Sequence, residues 1–335
     1  MRVLVTGSAG FIGSHLVNRL AERGDEIVAL DDLSTGQLGN ITDYLGRSNF
    51  KFVKGDIRDK KLVRDCASRV DSVVHLAAIS SVPYSVQNPL ETHQVNVTGT
   101  LNLLEACVND GVEKFIYASS CAVYGDAKKL PISEDHPLDA RSPYAESKIA
   151  AEEYCHVFRK RYKLQTVSVR AFNVYGPGQR KSDYGGVLTR FVGRMENGEP
   201  PIIYGDGEQS RDFVHVYDIV TALIRILEDK GQSSEVYNLG SGRAVTINQL
   251  ASILQQTLHR EDLKPIHMPP RAGDIKQSQA DISRAQSELG FRPHISLEEG
   301  LRRLVTSQAK SLAVKNCALN LPVWRWKNEP SSVKK

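Results

Sequence analysis

The first 172 residues predict a doubly wound parallel α/β sheet, with a smaller mixed α/β lobe built from the later chain. Three observations carry this reading. Short apolar runs alternate with amphipathic helical stretches, a pattern that implies parallel strands joined by right-handed crossovers. The segment Gly7-Ser8-Ala9-Gly10-Phe11-Ile12-Gly13 lies between the first apolar run and the first helical stretch. After Arg170 the alternation stops, and Gly176-Pro177-Gly178, Pro200-Pro201 and Gly205-Asp206-Gly207 mark turns. At 335 residues the chain is long enough for two domains, on a prior of ~150 residues each.

Taken in order, Arg2–Thr6 reads as a buried strand and Phe11–Arg23 as a helix with apolar residues at helical spacing. Glu26–Leu30, Phe50–Lys54, Ser72–Leu76, Lys114–Ser119 and Thr166–Arg170 read as further strands. Helical stretches at Leu62–Ser68, Glu91–Asn109 and Ser142–Tyr162 separate most of them. Glu235–Leu239 is one later strand, and Thr246–His259 and Ser283–Leu289 are short helices. The expected division is a nucleotide-binding domain over 1–172 with 213–242 returning to it. A ligand-binding lobe takes 173–212 and 243–310, and 311–335 form a basic tail.

Composition narrows the function classes. The 43 basic and 39 acidic residues nearly balance, which gives no footprint for nucleic acid. Five widely spread cysteines without a Cys-x-x-Cys or His/Cys cluster argue against a zinc site and a disulfide framework. No apolar run approaches the ~20 residues of a membrane span. A strand starting at Arg2 leaves no room for a signal peptide, so a cytosolic chain is expected. On that basis the sequons at Asn40 and Asn96 are chance matches.

The glycine segment offers a phosphate site. Gly7, Gly10 and Gly13 allow a tight turn and close backbone approach, and the helix starting at Phe11 and Ile12 points its N-terminus at a pyrophosphate. The spacing is GxxGxxG. Asp31, at the end of the second strand, suits the two hydroxyls of an adenosine ribose and would repel a 2′-phosphate. Asp32 adds negative charge, so the reading is NAD rather than NADP. Asp56 in Gly55-Asp56-Ile57 could reach an adenine amino group or cap a helix. The small residues of Leu76-Ala77-Ala78 permit a flat cofactor close by. Together these describe a Rossmann-type site.

The catalytic candidates stand at the end of the fifth strand and in the helix beyond it. Tyr144 and Lys148 are four residues apart and share a helix face. A neighbouring cation favours phenolate, so Lys148 is expected to lower the Tyr144 pKa. Ser120 lies where strand ends face the ligand crevice. The three form a Ser–Tyr–Lys set with Tyr144 as acid and base. Ser120 would orient the reacting oxygen, and Lys148 would also hold the nicotinamide ribose. Tyr124 and Cys121 read as packing or supporting groups.

Over roughly 1–305 the chain resembles extended short-chain dehydrogenases/reductases of the nucleotide-sugar epimerase/dehydratase group. The resemblance rests on the glycine turn, Leu30-Asp31-Asp32-Leu33-Ser34-Thr35-Gly36, His75-Leu76-Ala77-Ala78, Ser120 through Gly125 and Tyr144/Lys148. Phe172-Asn173-Val174-Tyr175-Gly176-Pro177, Arg211-Asp212-Phe213 and Arg271-Ala272-Gly273-Asp274 complete it. It implies tightly held NAD, with Ser34, Thr35, Gly36 and Ile57 at the cofactor, and a UDP-sugar substrate. It also implies that Asn173, Arg211 and Arg271 bind the diphosphate and Asp274 the uridine ribose. Arginine suits a diphosphate because its planar fork makes paired hydrogen bonds. A homodimer through Glu91–Asn109 and Ser142–Tyr162 is implied by the same analogy.

Members of this group begin by oxidising the sugar at C4. Dehydratases carry acids between the catalytic Ser/Thr and the Val-Tyr-Gly segment, and decarboxylases usually have a glutamate there. This chain has Cys121 and Ala122, so the simplest outcome is hydride return to the other face of C4. In 4-epimerases of this resemblance a tyrosine four residues past the Arg-x-Gly-Asp aspartate restricts the pocket to unacetylated hexoses. Here that residue is Ser278. Ser80, Ser81, Asn173, Gln179 and Gly186 match the other pocket positions. The expectation is UDP-GlcNAc/UDP-GalNAc interconversion. UDP-glucose/UDP-galactose and UDP-uronic acid epimerisation stay open, and a non-enzymatic NAD-binding scaffold is the rival from another class.

Overall fold

The computed structural model describes residues 1–179, 186–229, 234–271 and 274–306. The strands are β1 (Arg2–Thr6), β2 (Glu26–Asp31), β3 (Phe50–Lys54), β4 (Ser72–His75), β5 (Lys114–Ser120) and β6 (Gln165–Ala171). Then come β7 (Asn173–Tyr175), β8 (Ile202–Tyr204), β9 (Ser210–His215), β10 (Val236–Leu239), β11 (Ala244–Thr246) and β12 (Ile266–Met268). The helices are α1 (Phe11–Glu22), α2 (Lys60–Ala67), α3 (Val82–Gln87), α4 (Pro89–His93), α5 (Gly99–Asn109) and α6 (Pro143–Tyr162). They continue with α7 (Val187–Glu196), α8 (Val216–Glu228), α9 (Ile247–Leu258) and α10 (Ser283–Leu289). Residues 297–306 are also helical.

Seven parallel strands form the main sheet in the order β10-β6-β5-β4-β1-β2-β3. Their side chains alternate between two cores. Val3 and Val5 face α1 and α8, whereas Leu4 faces the layer of α2, α5 and α6. A third core lies among α7, α9 and the 297–306 helix, where Leu188, Phe191, Leu250 and Leu301 meet. A three-stranded sheet (β11-β9-β7) and a two-stranded sheet (β12-β8) complete the later chain. β10 lies at the edge of the main sheet, paired with β6.

One sequence expectation needs correction. The stretch Glu91–Asn109 is not one α-helix: α4 and α5 are joined by a π-helical turn at Gln94–Thr98. The wider turn carries Asn96 inward, where Nδ2 donates to Ile79 O (3.0 Å) and Ser147 Oγ (2.9 Å), and Oδ1 accepts from Ile79 N (2.8 Å). α8 was not singled out from the sequence, although nine of its thirteen residues are buried and Tyr217, Thr221, Arg225 and Glu228 form one less buried stripe along it.

Candidate active site

The main sheet changes direction at β1, which lies between β2 and β4. The loops after β1 and β4 therefore diverge and open a crevice at the strand ends. Gly7 leaves β1 at φ +66°, and a Cβ there would come 2.7 Å from Ala77 N. A Cβ on Gly13 would come 2.0 Å from Gly7 O. Neither place admits a side chain, so the turn lies flush against Leu76, Ala77 and Ala78. Gly10 caps α1 with no side-chain bond, and no acid occupies the first turn. An anion therefore meets no competing side chain at the N–H groups of Phe11, Ile12 and Gly13.

Asp31 is bound into this turn, accepting from Ala9 N (2.9 Å) and Leu33 N (2.8 Å). Burial pushes its carboxyl up from the usual value, and these N–H bonds act against that. Gly36 lies beside it, where a Cβ would come 2.8 Å from Asp31 Oδ1. Asp32 is exposed and bonded to Ser34 N (2.8 Å) and Ser34 Oγ (2.7 Å), with Thr35 next in the same exposed loop. Asp56 is engaged by Arg58 (2.5 Å), which holds its carboxyl below the ordinary range. Ile57 is buried, and its side chain occupies the space where Gly99 would otherwise carry a Cβ. The close-approach glycines and the anchored Asp31 fit a dinucleotide.

Ser120, Tyr144 and Lys148 come together beyond β5. The Ser120 hydroxyl accepts from Ala122 N (3.2 Å) and is within hydrogen-bond reach of the Tyr144 phenol. Ser142 caps α6, its hydroxyl accepting from Ala145 N (3.2 Å), and Ser85 from α3 accepts from Tyr144 N (3.1 Å). These bonds place Tyr144 at the start of the helix. The lowering expected from Lys148 does not show in the resting phenol. Burial pushes the phenol up to about 12, with the Ser120 contact acting against it. Lys148 turns to Ala118 O (2.7 Å) and lies 4.8 Å over the Tyr117 ring, leaving it 5.9 Å from the centre of the Tyr144 ring. Burial pulls Lys148 itself down to about 8.

A polar chain unseen in the sequence supports this set. Thr6 Oγ1 accepts from Ala77 N (3.2 Å), so its own proton goes to His75 Nδ1 (2.7 Å). His75 Nε2 then donates to Thr100 Oγ1 (3.0 Å), which donates to Asn96 O (2.6 Å). Every member has one donor role and one acceptor role, which makes His75 a neutral Nε2–H tautomer. Burial takes its pKa down to about 3. Asn96 continues to Ser147, whose hydroxyl donates to Tyr144 O (2.7 Å). A polar residue at a buried position of an apolar helical pattern was the one available sign of Asn96.

A second cleft opens beside the set, lined by Asn173, Arg190, Tyr204, Gln209, Arg211, Arg271 and Asp274 among others. Arg211 is ion-paired with Asp274 (2.7 Å), and the Arg271 guanidinium lies 3.7 Å over the Tyr204 ring. Asn173 Nδ2 donates to Asp212 O (3.0 Å). Arg190 and Tyr204 were not singled out from sequence, since neither belongs to a spaced motif. Gln179 donates to Val174 O (3.2 Å), while its buried Oε1 has no partner among the described residues. Gly186 caps α7 in open space. Ser278 is buried beside the Cys121 thiol, which burial raises to about 11. Ser81 caps α3 by accepting from Tyr84 N (3.2 Å), and Ser80 is exposed next to it. Residues 272–273 of the Arg-x-Gly-Asp segment lie outside the described residues, as does Cys317. Among the described residues no cluster of three His, Cys, Asp or Glu could hold a metal, and no helix is long and apolar enough to cross a membrane.

Fold and site define a nucleotide-dependent α/β enzyme in which a phenol, a hydroxyl and an ammonium meet at the strand ends. The model of the NAD dependent epimerase/dehydratase family matches residues 3–240, and the chain belongs to that family. It is 39% identical over 307 residues to a UDP-glucose 4-epimerase of Mycolicibacterium smegmatis, covering 91% of this chain and 97% of that one. The UDP-glucose 4-epimerase of Thermotoga maritima, solved with UDP-glucose, superposes with a TM-score of 0.88 at 38% identity, covering 93% of this chain and all of that one. The UDP-N-acetylglucosamine 4-epimerase of Methanobrevibacter ruminantium, solved with UDP-N-acetylmuramic acid, gives 0.88 at 38%, covering 92% and 98%. The chain is accordingly an NAD-dependent enzyme of the isomerase class.

Proposed function

We propose that the protein epimerises a UDP-hexose at C4, with UDP-GlcNAc and UDP-GalNAc as the favoured pair. The main sheet would hold NAD, and the cleft of Arg211 and Arg271 would hold the UDP moiety. The observation that carries the reaction is the pair Cys121 and Ala122 next to Ser120. Neither residue is an acid, so no second proton-transfer group stands there to divert a 4-keto sugar.

Bound NAD supplies a reversible hydride acceptor at the sugar C4. Tyr144 takes the C4 hydroxyl proton and later returns it, while Ser120 orients that oxygen. Lys148 keeps a positive charge beside the developing phenolate. Arg211, Arg271 and Asn173 anchor the diphosphate while the sugar turns to present its other face. The small Ser278 against Cys121 leaves room for an acetamide at C2 and supports the N-acetylated pair. Its hydroxyl does not require that group, and the UDP-glucose 4-epimerases among the relatives favour UDP-glucose/UDP-galactose as the second reading.

We also infer a cytosolic homodimer. Exposed Val86 (61%) on α3, Leu90 (69%) on α4 and Val157 (44%) on α6 support a second copy docking there, a surface that takes in α3 and the start of α4 besides the helices expected from Glu91–Asn109 and Ser142–Tyr162.

The deciding experiment incubates purified protein with UDP-GlcNAc, without added NAD, and follows the anomeric protons by NMR. UDP-GalNAc rising to a fixed ratio is the expected result. Conversion of UDP-glucose alone would keep the reaction and overturn the pocket argument. No change with either, or with the UDP-uronic acids, would sink the proposal.

A further inference from the structure

A buried ion pair ties four elements together behind the site. Glu152 lies one helical turn past Lys148 on α6, as Lys148 lies one turn past Tyr144, so the three share a face. Arg170 on β6 grips the Glu152 carboxylate, with Nε 3.1 Å from each oxygen and Nη2 2.6 Å from Oε2. Glu152 is 7% exposed and Arg170 5%. Ser119, the residue before Ser120, donates its hydroxyl to Glu152 Oε1. Arg170 Nη1 donates to the Tyr124 hydroxyl (3.0 Å) and to Glu134 O (2.9 Å). Tyr124 in turn donates to Asn238 on β10 (2.7 Å).

A buried pair is a weak source of stability, because both charges lose their hydration and an apolar pair of the same shape often does as well. Its location suggests another use. Ser119 belongs to the strand that delivers Ser120, and Glu152 to the helix that delivers Tyr144 and Lys148. We propose that Glu152 is a positioning residue: its carboxylate, clamped by Arg170 and Ser119, registers the Tyr144/Lys148 face against Ser120. Lys148 is faced by Tyr117 and Ala118 O from β5, by neutral His75 from β4, and by Tyr144, Glu152 and Cys155 from α6. Among the described residues Glu152 is the one carboxylate in that shell. Burial lowers the Lys148 pKa, and Glu152 is the foremost charge opposing it. Neutralising Glu152 therefore lets the ammonium lose its proton at a lower pH.

The inference rests on the roles proposed above for Tyr144 and Lys148. The test compares Glu152→Gln with the wild-type holoenzyme. Expected are a retained NAD content and a nearly unchanged KM. The kcat falls about tenfold, and its alkaline limb moves to lower pH by about one unit. Glu152→Asp keeps the charge and is expected to restore the limb without restoring the full kcat. An unmoved limb in folded, NAD-loaded Glu152→Gln overturns the proposal. Should Glu152→Gln not fold, the double variant Glu152→Leu with Arg170→Met replaces the pair by apolar groups. The same shift is expected there, and a wild-type limb overturns the idea.

Lys148 can also be titrated by NMR with isotope-labelled lysine, its signal assigned by absence in Lys148→Arg. That readout needs no substrate. A wild type that converts no UDP-sugar refutes the reaction, whereas an unmoved Lys148 titration in Glu152→Gln refutes the positioning role.

Discussion

Tyr144 is a phenol in a dry pocket, and dryness favours its protonated form. Against burial stands the contact with Ser120, and a cation near the ring must supply the rest when a proton is moved. Tyr144→Phe removes the proton site with little change of volume. Turnover is expected to vanish while NAD is retained, read as bound absorbance alongside product formation. Lys148 loses its proton as pH rises through about 8, so activity that needs the ammonium declines over that range. Lys148→Arg stays charged throughout; the alkaline decline should disappear from its pH–rate profile, at a lower overall rate. At the sugar pocket, Ser278→Tyr would fill the space beside Cys121. Activity on N-acetylated sugars should fall at least tenfold more than activity on plain hexoses, since a single misfitting methylene already costs about 10–200-fold. Equal losses on both would remove Ser278 as the size filter.

At the scale of elements, the main-sheet strands were readable because buried parallel strands are continuous apolar runs between turn signals. The glycine turn was readable for a related reason: a Cβ would meet Ala77 N at 2.7 Å from Gly7 and Gly7 O at 2.0 Å from Gly13. Gly13→Ala sets a Cβ against a backbone carbonyl that cannot move aside like a side chain. Loss of copurifying NAD, or of soluble protein, is the expected outcome. A wild-type NAD content would show that α1 can shift to accept the methyl. The π-helical turn at Gln94–Thr98 was not legible, since periodicity reports which face is buried and not how the backbone winds locally. β7, β8, β11 and β12 are three residues each, too short to show any period.

Across the whole molecule, the apolar face of α3, α4 and α6 bears on assembly. Light scattering after gel filtration is expected to give twice the chain mass. Val157→Glu places a charge on that face and should shift the species toward monomer without loss of fold. A monomeric wild type would end the dimer proposal. The sequence by itself determined the class of sheet, the glycine turn, Asp31 and the Ser120–Tyr144–Lys148 set. Each of these depends on short-range constraints, namely strand burial, turn geometry and i to i+4 spacing on one helix. Only the tertiary structure decided how those groups are charged and held. Burial of Tyr144 and Lys148, the Arg211–Asp274 pair, the Thr6–His75–Thr100–Asn96 chain and the Glu152–Arg170 clamp join residues distant in the chain. Solvent exclusion and long-range pairing set their electrostatics, and neither is written in local spacing.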